Sequence, residues 1–253
     1  EVATGSLNST DNELNYVAQA KWNHFEFQIG RFSGIDRSAK VIELSATVDE
    51  KGHQLVPARS LNYDTLVIAV GSLTNDFGTP GAAEHCIFLD SPQHALNFHR
   101  RLLGAYLSAH AHSETDTAVN IAIVGAGATG VELAAELRRA SQQLSAYGLD
   151  NIQPDNMCIT LLEAGPRVLP ALSEKIASEV HQQLLKLGVQ VKLNAAVETI
   201  TAEGMHIKSG EFIPASLKVW AAGVRGPKFL TELDGLTTNR INQLVVRTTL
   251  QTT

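Results

Sequence analysis

The chain has 253 residues, 44% of them hydrophobic, and a formal net charge of −6 from 20 Lys+Arg against 26 Asp+Glu. That length allows a sizeable core and two domains, and the acidic balance excludes a nucleic-acid partner, which would call for a basic surface. The two cysteines, Cys86 and Cys158, stand far apart without a C-x-x-C, so neither a disulfide framework nor a redox dithiol is expected and a reducing compartment fits.

No stretch approaches the ~20 apolar residues that cross a bilayer. The first residues, Glu1-Val2-Ala3-Thr4-Gly5, carry neither the basic region nor the apolar core of a signal peptide. They also lack an initiator Met, which fits an excised or processed piece of something longer.

Residues 11–21 have the composition of a short helix. From Phe25 the texture is that of strands. Phe25-Glu26-Phe27-Gln28-Ile29 alternates apolar and polar at period two. Val41-Ile42-Glu43-Leu44 follows a turn at Gly34-Ile35-Asp36-Arg37, and Lys51-Gly52 marks another before the extended His53-Gln54-Leu55-Val56-Pro57. These segments predict an antiparallel meander over about 25–61. Leu66-Val67-Ile68-Ala69-Val70-Gly71 is a continuous apolar run closed by glycine, which predicts a strand buried on both faces. Thr79-Pro80-Gly81 is a turn. Ser91 to about His110 reads as a helix, with Ala95, Leu96, Leu102, Leu103 and Leu107 among its apolar positions, and polar Ser113–Thr117 reads as a linker.

The next region reads β-α-β-α-β. A strand over 119–124 leads into a helix from about 128 to 146. A second strand spans Cys158–Leu162 and ends at Glu163. Ser173 is a plausible N-cap for a second helix with Ile176, Val180, Leu184 and Leu187 as its stripe, and Gly188 is placed to end it. Val189-Gln190-Val191 and Leu217-Lys218-Val219-Trp220 give two further strands.

The chemistry concentrates where the first of these strands ends. Ile121-Ala122-Ile123-Val124 runs into Gly125-Ala126-Gly127-Ala128-Thr129-Gly130, a G-x-G-x-x-G, and then into Val131-Glu132-Leu133-Ala134-Ala135-Glu136-Leu137. Strand, tight turn and helix in that order make a dinucleotide fingerprint. Gly125 permits the turn, Gly127 lets a diphosphate approach the backbone, and Gly130 lets the helix pack close to the sheet. The amides at the helix start, through Ala128 and Thr129, offer free donors and a positive dipole end. Glu163, at the end of the next strand, would accept from the adenosine ribose hydroxyls and repel a 2′-phosphate, favouring NAD over NADP. It lies 33 residues beyond Gly130, longer than the compact motif, and the polar stretch 148–156 reads as the loop that absorbs the excess.

Three other positions carry weaker signals. Ala222-Gly223, after Trp220-Ala221, puts small residues at a strand's C-terminal end, where a ring could lie against the backbone; a tight connection between domains explains it equally. Gly71 has the same character, with a packing turn as the competing explanation. Glu132 serves either as a dipole-favoured carboxylate or as a group beside a bound ring. The nine histidines, His94, His99, His110 and His112 among them, match no zinc spacing, so no metal is expected. There is no phosphate-loop lysine motif and no G-x-S-x-G.

The stretch Val119–Leu133 closely resembles the NADH-binding segment of bacterial type II NADH dehydrogenases, the single-subunit, non-proton-pumping, FAD-dependent NADH:quinone oxidoreductases of the respiratory chain. Tyr63–Ser72, Thr79-Pro80-Gly81, Leu161–Pro170, Val219–Val224 and Asn239–Val246 agree with it in order. The resemblance implies an α/β fold of two nested Rossmann-like dinucleotide-binding domains with an antiparallel β-meander. The FAD domain, residues 1–116 and 224–253, would be incomplete in this chain, and residues 117–223 would bind NADH. Gly71 would fall on the flavin-domain turn, Ala222-Gly223 near the nicotinamide, and catalytic Glu132 where nicotinamide and flavin meet. Quinone and a membrane surface would be partners of the full-length enzyme, peripheral on the cytoplasmic face of the bacterial inner membrane. The family's first glycine fingerprint, its later Gly-Asp flavin motif, its quinone-site helices and its membrane-associated tail have no counterpart here. The resemblance therefore implies an internal fragment that binds NADH but is inactive alone, with exposed apolar surface that a homo-oligomer would bury.

Alternatives remain at this stage. Another two-domain flavin oxidoreductase shares the glycine motif, although disulfide reductases need C-x-x-C and sulfide:quinone enzymes need cysteines in other contexts. A non-catalytic NAD(H)-binding module, or a methyltransferase using the same turn for S-adenosylmethionine, also fits the fingerprint alone.

Overall fold

A computed structural model of the chain describes residues 3–4, 14–111, 119–142 and 157–252. The chain divides into two compact units, one of Asn12–Leu73 with Arg225–Thr253, the other of Glu1–Asp11 with Thr74–Val224.

The first unit opens with α1 (Tyr16–Asn23), capped by Asn15, whose Oδ1 accepts from the Ala18 amide at 3.1 Å. Of the expected helix 11–21, residues 11–13 lie outside the described residues. β1 (Arg31–Asp36) and β2 (Val41–Ser45) come next. β3 (Thr47–Val48) and β4 (Gln54–Val56) form a two-stranded hairpin, and β5 (Arg59–Asn62) follows. β1, β2 and β5 make an antiparallel sheet in that order, so the meander is present. Its first strand is not where the alternation placed it. Phe25–Ile29 makes no ladder, and pairing begins at Arg31 opposite Ser45. Phe27 instead stacks on Tyr16, ring centroids 5.5 Å apart. Leu230, Leu233 and Leu236 form the buried core of the unit, with Phe32, Ile35, Ile68, Phe229 and Leu244 packed on them.

Leu66–Gly71 departs further from expectation. No strand forms there, and Val67 is 81% exposed. An apolar run of this kind is buried where it is paired into a sheet whose two faces are covered by other layers. Among the described residues no strand takes either edge.

The second unit starts around β6 (Leu73–Thr74). It continues through α2 (Ala82–His85), β7 (Ile87–Phe88), α3 (Pro92–Ala111), β8 (Val119–Val124), α4 (Ala128–Gln142), β9 (Met157–Leu162), α5 (Glu174–Lys186) and β10 (Gln190–Lys192). β11 (Val197–Ile200), β12 (Gly204–Ile207), β13 (Phe212–Pro214) and β14 (Leu217–Trp220) complete it. Five strands pair in the order β10-β9-β8-β14-β7, all parallel. The run Ile121–Val124 is apolar throughout because both faces are covered. Ile121 and Ile123 join a cluster containing Phe98, Leu102, Leu137 and Leu184 from α3, α4 and α5. Ala122 and Val124 face the other way, onto a cluster with Met205, Ile207 and Ile213 of the antiparallel β11–β12–β13 meander.

Thr74–Val224 belongs to this unit, so β7 and α3 group with the parallel sheet. β7 is the edge strand of the parallel sheet, Val219 opposite Ile87, and α3 buries Phe98, Leu102 and Tyr106 in the core. The α3 stripe is thus an i, i+4, i+8 row, while Leu96, Leu103 and Leu107 are exposed. On α5, Leu184 and Ala177 are buried and Ile176 is exposed. Ser173 caps α5, its Oγ accepting from the Ile176 amide at 3.5 Å, and Gly188 follows its last turn with φ +78°. Linker 113–117, residues 143–146 of the first helix and the loop at 148–156 lie outside the described residues.

Candidate functional site

The glycine segment is shaped by its neighbours in the sheet. Gly125 leaves β8 with φ +101° and donates its amide to Leu162 O on β9 at 2.7 Å. A Cβ on it would lie 2.7 Å from both the N and Cα of Ala222, so only glycine fits between the ends of β8 and β14. A Cβ on Gly130 would meet Gly125 O at 1.9 Å. This contact sets α4 directly against the strand it follows. Gly127 differs: a Cβ there would meet nothing within 4 Å. Protein packing does not require glycine at 127, and the space beside it is open.

The Val131 amide donates to Gly127 O at 3.0 Å, so α4 begins its ladder there. The amides of Gly127, Ala128, Thr129 and Gly130 precede the ladder and have no intrahelical acceptor. Ala128 and Thr129 are exposed, and the buried Ala126 ends the loop with its carbonyl taken by the Leu169 amide at 2.8 Å. The result is a rigid loop, an open side and a helix start with unused donors, which suits an anionic group.

Glu163 is half-buried at the end of β9 and has two jobs in the fold. Its Oε2 accepts from the Ala126 amide at 2.9 Å and its Oε1 from the Gly165 amide at 2.8 Å. The carboxylate thus braces the glycine loop against the next turn. Each oxygen keeps a further lone pair able to accept a hydroxyl. At the end of β14, the Ala221 amide donates to Val124 O at 2.8 Å, and Ala222-Gly223 turns away with Gly223 at φ +69°. The backbones of Gly125 and Ala222 are in contact across the strand ends.

Residues 4–253 match the model of the family described as Pyridine nucleotide-disulphide oxidoreductase. The chain belongs to the pyridine nucleotide-disulphide oxidoreductase family. It is 43% identical to the Type II NADH:quinone oxidoreductase of Haemophilus influenzae, over 100% of this chain and 60% of that protein. It is 30% identical to the Type II NADH:quinone oxidoreductase NdhA of Mycobacterium tuberculosis, over 97% of this chain and 53% of that one. The chain therefore spans little more than half the length of these curated relatives. The structure of NDH2 from Plasmodium falciparum in complex with NADH superimposes with a TM-score of 0.67, at 22% identity over 81% of this chain and 42% of that one. At that identity the likeness speaks for the fold.

Within this pyridine nucleotide-disulphide oxidoreductase fold, the expected positions gather unevenly. Gly125, Gly127, Ala128, Thr129, Gly130, Glu163, Ala222 and Gly223 cluster at the C-terminal ends of β8, β9 and β14. Glu132 is exposed on α4, one turn beyond Ala128. Gly71 belongs to the other unit, exposed, with φ +70° and nothing within 4 Å of where its Cβ would be. Sequence reasoning missed the Asn75–Gly78 turn, which packs on Gly223; an exposed turn has no periodicity to betray it.

Both cysteines are free. Burial pushes the Cys86 thiol up to about 12, against a smaller opposing pull from Lys218. At pH 8 the native chain should therefore leave Cys86 unlabelled by N-ethylmaleimide and expose it only in denaturant, because the thiolate is the nucleophile. Peptide mass spectrometry checks this. Labelling of Cys86 at the rate of a free thiol in the native chain would contradict its burial.

Proposed function

We propose that this chain carries the NADH-binding half of a type II NADH:quinone oxidoreductase. The observation that carries the reading is the open helix start at Gly127, in a chain 43% identical throughout to such an enzyme. In this reading the amides of residues 127–130 hold the NADH diphosphate, with Ala128 and Thr129 at its edge. Glu163 accepts from the adenosine ribose while keeping the loop in place through Ala126. The small residues Ala222 and Gly223 give the nicotinamide a flat backbone surface to lie on. Glu132, exposed on α4, orients the ring. Gly71, with its left-handed backbone and open side, fits close approach of a flavin. FAD, when bound, supplies the hydride acceptance from NADH and the onward transfer of two electrons to quinone; the protein contributes binding, orientation and exclusion of water.

Quinone is dissolved in the bilayer, so the complete enzyme works at a membrane surface, peripherally, on the cytoplasmic face where NADH is found. No helix among the described residues is long and apolar enough to cross a membrane. The exposed Val67 and Val70 of the first unit give a homo-oligomer a surface to cover.

Titrating the chain with NADH and NADPH, followed by nicotinamide fluorescence, tests the reading. NADH should bind saturably and at least about tenfold more tightly than NADPH, since a 2′-phosphate meets the Glu163 carboxylate. Glu163→Ala should weaken NADH by about tenfold, the worth of a hydrogen bond to a charged group, and narrow the gap to NADPH. Equal affinity for the two nucleotides in the unmutated chain would remove Glu163 from the site, and no binding of either would end the proposal.

A further inference from the structure

Phe77 offers the fold almost nothing, yet it is held firmly in place. The residue is 66% exposed and its φ is +54°, a left-handed conformation that is costly for an aromatic residue. Two side chains of its own turn fix it. Asn75 Oδ1 accepts from the Phe77 amide at 3.1 Å, and Asp76 Oδ1 accepts from the Gly78 amide at 3.1 Å. The turn is fastened in its turn to the end of β14. The buried Trp220 donates its indole N–H to Asn75 O and to Ala222 O, each at 3.0 Å, and the Asn75 amide donates to Gly223 O at 3.4 Å. The ring consequently stands on Gly223, where a Cβ would come within 2.4 Å of Phe77 Cζ. Gly223 follows Ala222, whose backbone abuts Gly125 of the glycine loop. An aromatic face is thus presented to solvent one residue from the strand ends that meet at the fingerprint.

We propose that Phe77 is a specificity-determining residue for the nicotinamide end of the dinucleotide, its exposed ring forming a wall beside Gly223 against which the planar nicotinamide packs. Aromatic rings favour offset and edge-on contacts with other planar rings, and a wall fixed on both sides restricts the nicotinamide to one orientation. Glu163 lies on the adenosine side of the diphosphate cradle, so Phe77 adds affinity for the nicotinamide and none for adenosine diphosphate ribose. The inference rests on the NADH reading above.

Calorimetric titration with NADH and with ADP-ribose separates the two ends. The variant of choice is Phe77→Asn, because asparagine tolerates the left-handed backbone that the turn imposes. It should weaken NADH by about five- to tenfold, the scale of an aromatic contact. ADP-ribose affinity should stay within twofold, and the melting temperature should not fall. Phe77→Tyr should restore NADH binding. If Phe77→Asn does not fold, Phe77→Leu, which keeps bulk on Gly223 without the π-face, gives the same ratio of NADH to ADP-ribose affinity. Equal weakening of both ligands, or NADH affinity unchanged by loss of the ring, would overturn the role of Phe77 and leave the NADH reading standing. An unmutated chain that binds neither ligand would overturn the NADH reading itself, and Phe77 with it.

Discussion

Gly127→Asp should abolish NADH binding while leaving the fold at least as stable as before. The two effects have opposite causes at one position. Gly127 is the residue whose carbonyl accepts the first α4 ladder bond, from Val131 at 3.0 Å, so it occupies the N-cap. Aspartate is among the best N-cap residues, and its charge is favoured by the helix dipole; exchange from glycine gains a few tenths of a kcal/mol. There is room for it, since nothing lies within 4 Å of the Cβ position and the φ is not left-handed. The same carboxylate then sits where an anionic diphosphate must approach. Two like charges about 4 Å apart in a medium of effective dielectric about 20 repel by roughly 4 kcal/mol, and even 3 kcal/mol is more than a hundredfold in affinity. A thermal melt and an NADH fluorescence titration on the same preparation read both. Unchanged NADH affinity would show that the helix start is not where the diphosphate sits.

The contrast between Gly127 and its neighbours explains what the sequence could convey. A glycine is written into a chain by whatever would collide with a Cβ. At Gly125 and Gly130 the colliding atoms are backbone of β14 and of the loop itself, which is why strand, turn and helix were legible together. β8 and β9 were legible for the same kind of reason, because a strand covered on both faces is mostly apolar, Asn120 of β8 and Thr160 of β9 being the polar exceptions. Leu66–Val70 has the same spelling, yet only Ile68 packs on a core while Val67 and Val70 stay exposed, since composition records the environment a segment needs and not whether a partner strand is present. The place of β7 at the edge of the parallel sheet was hidden because the strand is two residues long and carries no period of its own. The β11–β13 meander passed unnoticed, although Phe212-Ile213-Pro214 alternates exposed and buried about a turn that holds Gly210. In the site, Glu163 was placed at the strand end from the motif alone. Its hold on the Ala126 amide, 37 residues earlier in the chain, depends on how far β9 extends beside β8, and no local pattern encodes that. Phe77 was silent because its role depends on Gly223 and Trp220, far along the chain and adjacent only after folding.

Gly130→Ala provides the opposite test, since here a single methyl group strikes backbone. The new Cβ would fall 1.9 Å from Gly125 O and 3.1 Å from Gly125 C. Gly125 cannot retreat, because its amide is bound to Leu162 O and its other side is pressed on Ala222. Relief therefore has to come from α4 lifting off the sheet, and α4 carries Leu133, Ala134 and Leu137 into the core. Displacing three buried side chains together puts the cost at about 3 kcal/mol or more, the upper range for overpacking. For a unit of this size that lowers the melting temperature by roughly 6–12 °C. Helix propensity works the other way, alanine gaining up to about 1 kcal/mol over glycine inside a helix, so a net loss can only come from the clash. NADH affinity should fall with it, because lifting α4 also withdraws the amides of 127–130 from the diphosphate. A Gly130→Ala chain that melts within 2 °C of the parent would mean the loop and α4 are not in contact, and the cradle built on that contact would be wrong along with it.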